Sequence, residues 1–128
     1  MSVNVQWRDT ENTILVLTFQ GRWYWKELDA AIKTLMELAQ PTTKPFDLLV
    51  DITQSSLYEP NAIEYVRANY INVALPNLRI MMCIGADYYT QVLWKVFTDL
   101  PIARHLALHF FDTLDEALEF SRSYTPPA

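Results

Sequence analysis

Hydrophobic and polar positions change period repeatedly along this chain. Residues 14–19, 46–52, 78–84 and 107–111 are short runs rich in β-branched and other apolar side chains, as strands are. Residues 25–39, 61–74, 88–100 and 114–121 instead place apolar residues three and four apart, the spacing of a helix with one buried face. This fourfold strand-then-helix order predicts a single layered α/β domain with a largely parallel sheet. Ahead of it, Val3, Val5 and Trp7 alternate with polar neighbours, and residues 9–12 supply a polar turn. Residues 3–8 and 14–19 therefore predict an N-terminal antiparallel hairpin. The whole reads as a mixed, mostly parallel five-stranded sheet with four helices.

Each helical stretch has its own punctuation. In the first, Trp25, Leu28, Ile32, Leu35 and Ala39 form the stripe, Gly21 lets the chain turn into it, and Pro41 and Pro45 stop it. In the second, Ile63, Val66, Tyr70 and Ala74 line up behind an Asn61/Glu64 capping pair, and Pro76 closes the element. The third has the widest apolar face, with Leu93 and Phe97 on it, Asp87 as N-cap and Pro101 as stop. The fourth opens on a Thr113/Glu116 capping box. Residues 48–50 and 80–84 are apolar on both faces, which fits central parallel strands.

Composition narrows the function. At 128 residues and 51% apolar, the chain has the size and bulk for one real core. The expected domain is residues 1–123, with 124–128 a Pro-rich, frayed tail. A net charge of −5 argues against nucleic-acid binding and against attachment to a membrane surface through basic residues. One Cys rules out an internal disulfide and a cysteine-based zinc cluster. No apolar run has the length of a membrane span, and the first residues lack a signal-peptide layout, so a soluble cytoplasmic protein is expected.

The chemistry-bearing residues read mainly as structure. Cys83 sits among large apolar residues in a strand, where a thiol behaves as a small hydrophobe. His105 and His109 are four apart, but His109 falls in a strand, which spreads that spacing to roughly 13 Å. No glycine-rich phosphate cradle exists, and no catalytic, cofactor-binding or metal-binding residue is assigned. Asp51 and Asp87 differ in lying at the carboxyl ends of parallel strands, where α/β proteins place ligands; capping a turn or helix is their bland alternative. With Ser55, Ser56, Tyr58 and Tyr88 they define a candidate ligand or partner edge. Trp23, Tyr65 and Trp94 fall off the main apolar stripes and are candidate interface aromatics, with ordinary packing at element ends the competing reading.

Several of these stretches together resemble a known family. They are residues 14–21 running into 25–28, the apolar run ending in Asp51, the turn Ile84-Gly85-Ala86-Asp87, and Asp112-Thr113-Leu114-Asp115-Glu116-Ala117. Over about residues 12–122 the order resembles the STAS superfamily, the domain of anti-sigma-factor antagonists, and within it the bacterial SpoIIAA-like branch. The resemblance implies a βα superhelix with the helices mainly on one side of the sheet. Signalling members carry an Asp-Ser-Ser-Gly type motif at the start of a helix, whose second Ser is phosphorylated. Here the matching stretch is Glu59-Pro60-Asn61-Ala62, with no hydroxyl to phosphorylate.

The expected function is thus a non-enzymatic STAS-like interaction and regulatory module lacking that phosphoacceptor. It would act through an unknown protein partner and as a homodimer, a second copy covering the sheet face that one-sided helices leave bare. The alternative is a binding protein whose apolar pocket takes a small molecule or lipid, since the same broad fold resembles lipid-transfer domains of the Sec14 type. A small enzyme using Asp51 or Asp87 is the third reading.

Overall fold

In the computed structural model, residues 2–55, 62–69, 75–87, 91 and 108–124 are described. The alternating N-terminal run forms β1 (Val3–Trp7), antiparallel to β2 (Ile14–Gly21), with Val3 opposite Phe19 and Trp7 opposite Leu15. The turn between them is held by Asp9, whose carboxylate accepts from the Thr13 N–H at 2.9 Å and from the Thr13 hydroxyl. Asn12 takes the left-handed conformation (φ 57°) that the reversal needs. The strands β3 (Phe46–Ser55), β4 (Leu78–Ile84) and β5 (Leu108–Phe111) then add in parallel, in the order β1-β2-β3-β4-β5. The sheet is the mixed five-stranded one that the sequence predicts.

Three helices lie among the described residues: α1 (Trp25–Ala39), α2 (Ala62–Asn69) and α3 (Leu114–Ser123). At the start of α1 the Tyr24 N–H donates to the Glu27 carboxylate at 3.2 Å. The expected cap of α3 is present, the Glu116 N–H donating to the Thr113 hydroxyl at 3.2 Å. Asn61, residues 70–74 and nearly all of the expected helix 88–100 lie outside the described residues; Gln91, within that stretch, donates its N–H to the Asp87 carbonyl at 3.0 Å.

Successive strand residues point to opposite faces, so the sheet carries two cores. On one face Leu15, Leu17, Leu48, Val50 and Cys83 pack with Leu28, Ala31 and Leu35 of α1, and Tyr65 of α2 joins them. On the other face Leu49, Ile80, Met82 and Ile84 pack with Ala117 of α3, flanked by Phe111, Phe120 and Tyr124. Here the structure corrects an expectation. Strands laid down in sequence order by crossovers of one hand leave their crossover helices on one face, as α1 and α2 are. A terminal helix is under no such constraint, and α3 lies across the opposite face. The apolar cover assigned to a second copy of the chain is supplied by the chain itself. Packing also continues to Tyr124, the first residue of the expected tail, whose ring lies 5.5 Å from that of Phe120.

One polar cluster is set into this second face. Asp47, only 2% exposed, receives Arg79 Nε at 2.8 Å and Arg79 Nη2 at 2.7 Å, a bidentate pair between β3 and β4. Arg79 Nη2 also donates to the Ser121 carbonyl at 2.9 Å, and the Ser121 hydroxyl donates to Asp47. The Tyr124 ring stacks on the guanidinium at 5.1 Å. A buried carboxylate is tolerated only when paired and fully hydrogen-bonded, and the cluster does both while tying α3 to two strands.

Candidate functional site

Because β2, β3 and β4 run parallel, their carboxyl ends share one edge, and the described members of the expected site sit there. Asp51 is half-buried near the end of β3; its Oδ1 accepts from the Thr53 N–H at 3.0 Å and from the Thr53 hydroxyl at 2.6 Å. It is the local capping residue of the bland alternative. Beside it β4 runs into Gly85, whose φ is +85° and whose backbone comes so near Thr53 that a Cβ would lie 2.7 Å from the Thr53 Cα. Ser55 is half-buried and pairs with Gly21 in the ladder; among the described residues its Oγ has no hydrogen-bond partner. Asp87 is exposed just past β4, with the Ala86 carbonyl next to it accepting from Gln91 Nε2 at 3.2 Å. Ser56, Tyr58 and Tyr88 lie outside the described residues. The structure brings Asp51 and Ser55 to one strand end, with Asp87 across from them on β4's extension.

The aromatic candidates separate. Trp23 is 6% exposed and packs edge-on between Phe19 and Trp25, each 5.2 Å away between ring centroids. It is a core residue, which corrects its assignment to an interface. Tyr65 stacks on Trp25 at 4.1 Å, and its hydroxyl donates to Asp29, so it fastens α2 to α1. Trp94 lies outside the described residues. The residue that sequence reasoning passed over is Tyr24, 51% exposed, with the Arg22 guanidinium 5.2 Å over its ring. The signal was available in Trp23-Tyr24-Trp25. Tyr24 has extended backbone (φ −121°, ψ 156°), so two inward-facing tryptophans force the residue between them outward.

Two further chemical groups, Cys83 and His109, are packed against apolar neighbours. Cys83 is fully buried, and burial, with a smaller contribution from the Asp51 charge, pushes its thiol up to about 12. The native protein should therefore resist a thiol reagent such as dithionitrobenzoate at pH 8 and release one equivalent only on unfolding. Rapid labelling of the folded state would contradict this burial. His109 lies against the Phe120 ring at 4.3 Å, and burial holds its imidazole below the ordinary value, in the neutral form. His105 is outside the described residues. Among the described residues no three His, Cys, Asp or Glu side chains converge as a metal site would require, and no helix is long and apolar enough to cross a membrane. No protein-family model matches the chain, and no curated protein matches it.

Proposed function

We propose that this chain is a non-enzymatic, STAS-like interaction module that works through contacts at the carboxyl edge of its sheet and lacks the phosphoacceptor serine motif. The observation that carries the reading is the division of labour along that edge. There Oδ1 of Asp51 accepts from Thr53, and the nearby Cys83 thiol is held protonated. The exposed pair at the same edge is Tyr24 with Arg22 stacked on it, an aromatic and an arginine, the residue types that anchor protein interfaces. Self-association as a twofold homodimer belongs to the same reading, and the exposed Tyr24 with Arg22 at this edge supports a contact there. The apolar-ligand alternative asks for a closed apolar cavity.

Light scattering on wild type and on Tyr24→Ala, with affinity capture from the native host as a second arm, tests the proposal. A wild-type mass of about twice 14.9 kDa that falls to the single-chain mass in the variant is the expected result. Single-chain mass for both would discard the homodimer. A captured protein retained equally by both would discard the edge.

A further inference from the structure

Three of the six arginines in this chain line one pocket of about 480 Å³. It lies at the edge opposite Tyr24 and Asp51, where β3 and β4 begin and α3 passes the foot of the β1–β2 hairpin. Arg8 comes from the hairpin, Arg79 from β4 and Arg122 from the last turn of α3, and the lining contains a single carboxylate, Asp47. In a chain of net charge −5 this is a local reversal of sign.

The three guanidiniums are held differently. Arg79 is locked by Asp47 and Ser121, which engage its Nε and Nη2 and leave the Nη1 donors without a partner among the described residues. The Arg8 guanidinium makes no hydrogen bond or ion pair among the described residues. Arg122 meets Glu119 at 2.9 Å, with the two side chains 74% and 66% exposed, a surface pair that an incoming anion exchanges at little cost. With three guanidiniums and one carboxylate in its lining, the hollow keeps a positive excess that an anion can meet. Ile14 and Leu118 give the same hollow an apolar wall. Its volume falls within the roughly 300–1,000 Å³ of small-molecule sites.

We propose that this pocket binds a small organic oxyanion, its phosphate or carboxylate end gripped by Arg79, Arg8 and Arg122 and its apolar body lying against Ile14 and Leu118. Guanidinium forks match both kinds of oxyanion, and the fixed Arg79 orients the ligand while the two exposed arginines close on it. The site is independent of the carboxyl-edge reading, sharing none of its residues.

Calorimetric titration with phenyl phosphate, benzoate and inorganic phosphate tests it, on wild type, Arg8→Gln, Arg122→Gln and the remote control Lys33→Gln. Saturable binding of phenyl phosphate or benzoate is expected, the tighter of the two identifying the charged end, and inorganic phosphate should bind more weakly than phenyl phosphate. Arg8→Gln and Arg122→Gln should each lose about tenfold in affinity while Lys33→Gln keeps the wild-type value. Arg8 and Arg122 are exposed, so unchanged melting curves will separate lost binding from lost folding. Absence of saturation with every probe, or equal affinity in all four proteins, would overturn the site. Inorganic phosphate binding as tightly as phenyl phosphate would overturn the apolar wall's part in it.

Discussion

Replacing Arg79 with Met should destabilise the protein by about 3 kcal/mol, the lower end of what breaking a buried ion pair costs. The reason is what remains behind. Asp47 is 2% exposed and would keep only the Ser121 hydroxyl, leaving a charge in the interior without its cation. The figure stays at the low end because the Arg79 side chain is 29% exposed and water can reach part of the vacated space. Removing both charges, as Asp47→Leu with Arg79→Met, should recover much of the loss, because a buried ion pair often stabilises no better than apolar residues of similar volume. Urea denaturation of the two single variants and the double variant measures the coupling directly. A loss below about 1 kcal/mol for Arg79→Met would show that the pair behaves as a surface contact.

Gly85→Ala is the second large effect, and it has an internal control. At Gly85 an added Cβ meets the Thr53 Cα at 2.7 Å and its N at 2.8 Å, so backbone would have to move, and the φ of +85° is strained for any side chain. At Gly21 the φ is +61° but nothing lies within 4 Å of the same added atom. Gly21→Ala should therefore cost about 1 kcal/mol from conformation alone. Gly85→Ala should cost about 2–5 kcal/mol, with overpacking added to the conformational term. Thermal or chemical melts of the two variants side by side separate the terms. Equal losses would mean that the β3–β4 junction yields freely and that the close approach carries no energy.

What could be read in the sequence was what hydrophobic period records. Leu78–Ile84 and Trp25–Ala39 match their expected bounds because an apolar run and a clean stripe with proline stops leave little choice. The polar end of β3 could not be read that way. Thr53, Gln54 and Ser55 extend the strand because Gln54 and Ser55 pair with Gln20 and Gly21 beyond an irregularity in β2, and a ladder is indifferent to side-chain polarity. The Asp47–Arg79 pair was equally out of reach. The cue was two opposite charges near the starts of two buried strands, but their meeting depends on a register shift at Phe46 that no single-strand pattern encodes. At the candidate site, the position of Asp51 at a strand end was legible, whereas its engagement by Thr53 and the choice of Tyr24 over Trp23 as the exposed aromatic depend on backbone geometry.

The helix on the second face also sets an order of events during synthesis. α3 follows all five described strands, so in a growing polypeptide those strands are synthesised before the segment that covers Leu49, Ile80, Met82 and Ile84. The first core can close around α1 while translation continues. The second waits, with its apolar rows open to chaperones and to neighbouring nascent chains, until Ala117 and Phe120 emerge and Asp47 gains the Ser121 hydroxyl.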